Sequence, residues 1–511
     1  MAVLHDLPPE LLGYILIHVD VRDVCHCLQV CRLLHDIVVT TPSLHYNHGL
    51  AAAGMIDGPT HCPLSLMERL SLLQQRREAW RTLEPTLTMQ VAEPSKVQLE
   101  HPTALEMRAL DLGLSIDDMR HGLLGEADPE IFDWRNDPAQ DLLVILDQNL
   151  SNNGHPHFVR FYFRTWSSGG SADHPDAIHP FIDINVDHRR YNGTSWHLMG
   201  HLLAIVARTG ERAQQLYVVD WENDVTKLSI TIIGDWQDHV TDTQILDESC
   251  VAMCTSATVR IYDIRGLTFT GNPLVVLQLP MHRSSSCPVS RKQQFGSMLE
   301  NIPFTEAPFT GDRIFVIRQI PYIAEMGSRG FFYIMLVNSL LRLFRQADQA
   351  NTGTRTLQWD GWGPDNTRVL CNRAELRIDR LLSGSRLLWP TFDVASHFNI
   401  LRYEILDFSR SPSARAGVAP SPLSLASDFT LHEEASATEE FHDGEQLVPA
   451  VHSRLAYSST TLSFPNNGET ISIEEFLNSD VNGWYPVELH EDRLTRVLKR
   501  GGVEVGEIYV F

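Results

Sequence analysis

Long apolar runs are missing from this 511-residue sequence. Stretches such as Leu202–Ala207 and Phe331–Val337 have the length of strands, whereas a helix crossing a bilayer needs about 20 apolar residues, so no membrane partner is expected. A secretory start is missing as well. Met1–Asp6 has no Lys or Arg, and Pro8, Pro9, Glu10 and Gly13 break up the apolar residues that follow. The expected location is cytoplasmic and/or nuclear. Cysteine is scarce and scattered, eight in all, which in that compartment predicts free thiols rather than a disulfide framework. Positive charge is in deficit, 41 Lys plus Arg against 64 Asp plus Glu for a net charge of −23. No basic stripe exceeds pairs such as Arg76-Arg77 and Arg189-Arg190, so nucleic acid is excluded as a main partner. Signatures of catalysis are missing too: there is no G-x-S-x-G elbow, no H-E-x-x-H, no P-loop and no G-x-G-x-x-G. The chain asks for no cofactor and reads as non-catalytic, not an enzyme.

What is present describes a folded protein. Hydrophobic residues make up 43% and charged residues 21%, far from a disordered composition, and the length calls for a small domain beside a large one. Residues 1–45 carry helical patterning. Asp6-Leu7-Pro8-Pro9-Glu10 is a helix entry, with proline in the first turn and an acid near the positive end of the dipole. Leu11, Leu12, Ile15, Leu16 and Val19 then recur at helical spacing. Asp20 and Asp23 restart the pattern as in a capping box, Val24, Leu28, Cys31, Leu34, Ile37 and Val38 follow, and Thr40-Thr41-Pro42-Ser43 is expected to close the last of three short helices. Residues 64–84 form a further amphipathic helix that buries Leu66, Leu70, Leu73 and Trp80 and ends at Pro85.

From residue 86 the period changes to two. Leu142–Leu146, Phe158–Phe163, Leu216–Val219, Val259–Tyr262, Leu274–Leu279, Ile314–Ile317 and Leu401–Leu406 are strand-like runs between turn residues. A helical period returns only at Ser339–Gln346. A weak repeat runs through the region: "LYVVDW" (216–221), "VRIYDI" (259–264) and "YEILDF" (403–408) share one template, with "LLVILDQ" (142–148) fitting up to its last position. Asp220 and Asp263 lie close to one propeller blade apart, about 40–45 residues. Gly200-His201 and Asp220-Trp221 are similar to the landmarks of WD-type blades. The final strand, "VEVGEIYVF" (503–511), can close a propeller by pairing with Thr86–Val91. The expected fold is multidomain, α plus all-β: helices at 1–47, a helical linker at 48–85, and a large β-propeller-like domain with degenerate WD-type repeats at 86–511. A stacked sandwich or barrel array is the alternative. Residues 409–443 have linker composition and are expected to be a disordered loop, and 281–311 a long loop between blades.

Two clusters invite a metal reading. "CHCLQVCRLLH" (25–35) places Cys27, Cys31 and His35 on one face if 24–38 is a continuous helix. Cys27 and His35 are then about 12 Å apart along the axis at 1.5 Å per residue, too far for one zinc ion with bonds of about 2.0–2.3 Å. Buried packing is the better account of these cysteines. His155, His157, His174, His179 and His188, with Asp173, Asp176, Asp183 and Asp187, match no ligand spacing and sit in proline turns. No metal site is expected at either cluster. Trp359, Trp362, Trp389 and Trp484 sit in turn-like settings, where an aromatic either anchors a partner or, more often, packs between blades.

Residues 7–44, "LPPELLGYILIHVDVRDVCHCLQVCRLLHDIVVTTPSL", resemble an F-box in the form common among fungal, basidiomycete-type F-box proteins. The resemblance rests on Leu7-Pro8, Glu10, Leu11, Ile15, Leu16, Asp23-Val24, Leu28, Val30-Cys31-Arg32, Leu34 and Leu44. "HYNHGLAAAGMIDGP", "DPAQDLLVILD" (137–147) and "WGPDNTR" (362–368) are similar to the same group. The resemblance implies a substrate-receptor subunit of an SCF-type cullin–RING ubiquitin ligase. The F-box would bind a Skp-type adaptor and through it a cullin, and the β domain would hold a protein substrate. It also implies adaptor contacts, or their direct support, at Leu7, Pro8, Leu11, Ile15, Leu16, Val24, Leu28, Val30, Cys31 and Leu34. The alternatives are a non-degradative interaction scaffold with an F-box, and a metal-binding or enzymatic β domain around His155–His188.

Overall fold

The computed structural model describes residues 7–19, 21–58, 63–92, 131–137, 140–150, 156–168, 170–185, 194–208, 213–233, 242–266, 271–280, 284–289, 303–306, 313–321, 329–350, 353–373, 381–393, 399–408, 426–432, 437–443, 446–453, 455, 457–462, 487–489, 493–500 and 503–511. Four helices open the chain: α1 (Pro9–Ile17), α2 (Val21–Val30), α3 (Arg32–Thr40) and α4 (Pro42–Ala53). Pro9 sits in the first turn of α1 and Glu10 follows it, where the missing N–H costs nothing and the acid meets the positive end of the dipole. Two expectations need correction here. The chain does not stay helical through Cys31, whose extended backbone (φ −158°, ψ 161°) separates α2 from α3. Nor does Thr40–Ser43 end the helical region: Pro42 starts α4, which ends at Gly54 in the left-handed conformation and runs across the expected boundary at 47/48. Asp20 lies outside the described residues.

Helix α5 (Leu66–Thr82) follows, opened by a capping box in which the Ser65 hydroxyl accepts from the Glu68 N–H and the Glu68 carboxylate accepts from the Ser65 N–H. That pairing holds the Glu68 carboxyl below its ordinary range.

The β region is laid down as a succession of meanders. Sheet I comprises Ile131–Asp137, Leu142–Leu150, Pro156–Thr165 and Phe181–Asn185; sheet II comprises Thr194–Met199, Leu202–Arg208, Ala213–Asp220 and Val225–Ile233. Sheet III holds Asp242–Asp247, Cys250–Cys254, Thr258–Asp263 and Val275–Gln278, and sheet IV holds Ser284–Val289, Ile314–Pro321, Arg329–Leu336 and Thr367–Arg373. Sheet V runs Leu382–Ser383, Arg386–Asp393, Asn399–Asp407, Tyr457–Leu462 and Ala426–His432. Sheet VI is made of Val487–Leu489, Arg493–Arg500 and Val503–Val510, and its outer strand, Leu87–Ala92, comes from before sheet I. The C-terminal strand thus closes against the start of the domain, as the sequence predicts.

Burial explains why so many strands are apolar on both faces. Strand Cys250–Cys254 sends Val251 and Met253 into the core shared with sheet II. Its Cys250, Ala252 and Cys254 enter the core shared with sheet IV. The period of two survives, but each face meets a neighbouring sheet. The same division places Leu203 and Ile205 toward sheet I and Leu202 and Ala204 toward sheet III. Cores of this kind join I to II, II to III, III to IV, and IV through V to VI. Among the described residues no core cluster joins VI back to I, so the succession is propeller-like without a closed ring of sheets.

The repeat has a structural meaning. "LYVVDW", "VRIYDI" and "YEILDF" all fall on the third strand of their sheets, II, III and V. Asp220 accepts from the Asn223 N–H at 3.1 Å, Asp263 from the Arg265 N–H at 2.9 Å, and Asp407 from the Ser385 hydroxyl at 3.2 Å. "LLVILDQ" is the exception, sitting on the second strand of sheet I. The Gly-His and Asp-Trp landmarks meet in sheet II, where the buried Trp221 donates from Nε1 to the Gly200 carbonyl at 3.0 Å and from its N–H to His201 O at 3.1 Å.

Insertions interlock the sheets. Between the third and fourth strands of sheet IV the chain forms α6 (Val337–Ala350) and lays Arg355–Leu357 parallel to the outer strand of sheet III. It then forms α7 (Trp359–Asn366). The setting of Trp359 and Trp362 is therefore helical, not a turn. Trp362 is buried and donates to Gln278 O at 3.1 Å. Trp359 packs edge-on to Trp362 and Tyr333, and Trp389 packs edge-on to Phe332; Trp484 lies outside the described residues. The stretch 409–443 contains the strands Ala426–His432 and Ala437–Asp443, and 281–311 contains Ser284–Val289 and Phe304–Glu306. Neither is a plain loop, because each supplies pairing edges that local composition does not reveal.

Candidate protein-interaction face and its mounting

The N-terminal helices divide their apolar residues between inside and outside. Leu12, Leu16, Val24, Leu34, Ile37, Val38 and Leu44 form a buried core, with Leu7, Val19, Cys27, Leu28 and Cys31 packed half-buried against it. On α1 the opposite side carries Leu11 (52% exposed), Tyr14 (65%) and Ile15 (43%), spaced three and four residues apart on one helix face. The Tyr14 ring meets His18 edge-on at 5.1 Å, which extends that face by a turn. Val30 at the end of α2 is 68% exposed.

The ten residues expected as adaptor contacts or their support therefore separate by position. Pro8, Leu11, Ile15 and Val30 lie on the surface, Leu7, Leu28 and Cys31 at its margin, and Leu16, Val24 and Leu34 inside. Sequence reasoning missed Tyr14, Ile17, Leu33 and Val39, which are also exposed. Helical spacing from Leu11 would have found Tyr14.

A compact joint mounts this module on the β domain. Strand Met55–Asp57 pairs antiparallel with Phe304–Glu306, and the Gly58 N–H donates to Pro303 O at 2.6 Å. A Cβ at Gly58 would stand 2.8 Å from the Pro303 backbone, so glycine is required there. Asp57 accepts from the buried Tyr46 hydroxyl at 2.7 Å and from Arg69 at 3.0 and 3.1 Å. Tyr46, Leu50, Leu70, Leu73 and Phe304 close around these polar groups. At the other end of α5, Trp80 stacks on Phe511 with ring centres 4.3 Å apart, and the Arg386 guanidinium lies over the Trp80 ring, 4.5 Å from its centre. Leu83, in the left-handed conformation at φ 51°, is fully buried in the core of sheets IV to VI.

Among the described residues the other candidates make packing contacts, hydrogen bonds and surface ion pairs. Cys27 and Cys31 are free thiols half-buried against the helical core, and Cys250 and Cys254 are buried free thiols; burial, then Asp247, pushes the Cys250 thiol up. His174 is buried, its Nε2 2.8 Å from Gln140 O while Nδ1 accepts from the Asp176 N–H at 3.3 Å. His179 faces Asp224 at the surface. Asp173 and Asp183 pair with Arg164 and Arg160. His155, His188, Asp187 and the His157 side chain lie outside the described residues. Among the described residues no three His, Cys, Asp or Glu are grouped to hold a metal ion, and no helix is long and apolar enough to cross a membrane.

Residues 4–50 match the family model described as F-box-like. The chain carries an F-box-like domain. No curated relative matches at a significant level. Solved structures similar to the chain include the β-propeller domain of the Trilobed protease from Pyrococcus furiosus, at 9% identity over 74% of this chain and 80% of that one, TM-score 0.28. The Dos1 propeller is similar at 9% identity over 53% and 51%, TM-score 0.23. The WD40 domain of SCAP from fission yeast is similar at 9% over 72% and 67%, TM-score 0.26. At these scores the architecture rests on the strand order and inter-sheet packing described above. The F-box-like domain ends within α4, and the joint built from α4, α5 and Phe304 carries it on the β domain.

Proposed function

We propose that this protein is the substrate-receptor subunit of an SCF-type cullin–RING ubiquitin ligase, acting in the cytoplasm and/or nucleus. Its F-box-like domain would bind a Skp-type adaptor, through that adaptor a cullin, and its β domain a protein substrate. The observation that carries the reading is the exposed apolar face of Leu11, Tyr14 and Ile15 on a domain that matches the F-box-like model at residues 4–50. Exposed aliphatic and aromatic side chains gathered on one helix gain free energy when a partner covers them, at about 25 cal/mol per Å². Ubiquitin chemistry would belong to other subunits, consistent with a chain that offers recognition surfaces.

The test uses the full chain. Leu11→Asp with Ile15→Asp alters only the outer face and is expected to abolish co-purification with a Skp-type adaptor while the melting temperature stays unchanged. Leu16→Ala, which opens the core, is expected to cost about 2–5 kcal/mol of stability instead. Undiminished adaptor binding by the double variant would overturn the assignment of this face.

A further inference from the structure

One residue type is almost missing from the chain: of its 41 basic residues only four are lysine, Lys96, Lys227, Lys292 and Lys499. Lysine is ordinarily among the commonest residues of a folded protein. Residues 1–95, which hold the F-box-like domain, its joint and α5, carry six arginines and no lysine. Further lysine-free stretches run from 97 to 226 and from 293 to 498. Of the lysines themselves, Lys227 holds its amine 3.5 Å from the Asp220 carboxylate, with its side chain 28% exposed. Lys499 lies opposite Glu504 in the ladder of sheet VI, and Lys96 and Lys292 lie outside the described residues.

Part of the arginine has a structural reason. A guanidinium lies flat on a ring and forks onto a carboxylate in ways that an ammonium cannot. Arg160 does both, 4.0 Å from the centre of the Phe181 ring and bonded to Asp183 at 2.6 and 2.8 Å. Arg265 lies over Phe344 at 5.4 Å and holds Asp263 and Asp348. Other positions make no such demand. Arg77 and Arg355 are exposed, and Arg345, 53% exposed, reaches Asp247 only at 3.8 Å. An ammonium on a flexible stem would be as well solvated at these three places, yet each holds arginine.

We propose that this scarcity of lysine shields the protein from its own ligase, so that ubiquitin passes to the bound substrate and the receptor is retained through successive rounds of transfer. The proposal rests on the receptor reading and adds to it a form of regulation. Transfer joins the nitrogen of a neutral lysine ε-amine to the carboxyl carbon of ubiquitin as an isopeptide, while the C–S bond of the carrier enzyme's thioester breaks. The amine loses one proton, which leaves with the sulfur as the carrier's thiol. An arginine side chain stays protonated and cannot supply that nucleophile. A receptor tethered to the transfer machinery meets it at the raised effective concentration of an intramolecular partner. Exposed lysines of its own would therefore compete with those of the substrate.

The test uses the full chain assembled with a Skp-type adaptor and a cullin–RING module, and supplied with ubiquitin, its activating and carrier enzymes and ATP. The wild type is compared with a variant combining Arg77→Lys, Arg345→Lys and Arg355→Lys. These exposed, charge-conserving changes are expected to leave the melting temperature and adaptor co-purification unchanged. The combined variant is expected to gain ubiquitin severalfold faster than the wild type, with the new isopeptides found at positions 77, 345 or 355 by peptide mass spectrometry. Arg77→Lys alone gives a second variant, expected to be modified at position 77 on α5. Equal rates for the wild type and both variants, all of them assembled, overturn the proposal, because composition then gives no protection. Failure of the wild type to co-purify with the adaptor overturns the receptor reading, and the proposal with it.

Discussion

At the scale of single residues, burial divides side chains of the same kind into opposite roles. Leu11 and Leu16 lie five residues apart on α1, yet one is exposed and one is core. His197 shows the same principle for a titratable group. It lies buried on the first strand of sheet II, its Nδ1 accepting from the Ile245 N–H at 3.4 Å. Desolvation, followed by the fields of Arg135 and Arg313, holds its pKa well below the ordinary 6.5. In the unfolded chain the same imidazole takes up a proton near its ordinary value. As pH falls below about 6.5 the unfolded state therefore binds more protons, and stability falls with it. Urea midpoints at pH 7 and pH 5 are expected to differ more for the wild type than for His197→Gln, which cannot titrate. Equal differences in the two proteins would remove His197 from the acid response.

At the scale of elements, α5 works as a strut fastened at both ends. Its N-terminal half packs against α4 and Phe304, and its C-terminal half inserts Trp80 and leads to Leu83 in the core of the β domain. The buried side of α5 was legible in advance, because Leu66, Leu70, Leu73 and Trp80 recur at helical spacing. Its fastenings were not, since Phe304 and Phe511 lie hundreds of residues away. Trp80→Ala is expected to cost about 3–5 kcal/mol and to speed hydrogen exchange along α5 while exchange in sheets II and III stays as it was. Unchanged exchange in α5 would show that Phe304 and Asp57 suffice to hold it. Gly363 illustrates a local requirement of another element: a Cβ there would meet the Trp359 ring at 2.4 Å, which reserves this position in α7 for glycine.

At the scale of the whole molecule, order along the chain becomes order in space. Each sheet shares a core with the next, and the last is completed by Leu87–Ala92, which precedes them all. Val503–Val510 is hydrogen-bonded on both sides, to Leu87–Ala92 and to Arg493–Arg500, and the following Phe511 stacks on Trp80. A chain ending at residue 502 is therefore expected to lose cooperative thermal unfolding. A melting temperature within a few degrees of the full chain would show that sheet VI is dispensable.

The sequence by itself determined what depends on neighbours along the chain. The helical period of α1 and α5, the period of two in the strands, and the Asp at the end of each third strand in sheets II, III and V are short-range signals, readable wherever they occur. The propeller reading also led to the expectation that Val503–Phe511 pairs with Thr86–Val91, and Val503–Val510 does pair with Leu87–Ala92. Only the tertiary structure decided which side of α1 is outside, that Cys31 breaks a helix, and that composition typical of a linker supplies strands. It alone placed "LLVILDQ" one strand earlier than its look-alikes. Each of these turns on which surfaces meet across long stretches of chain. An apolar residue reads the same in sequence whether it faces a core, a neighbouring sheet or a partner yet to bind.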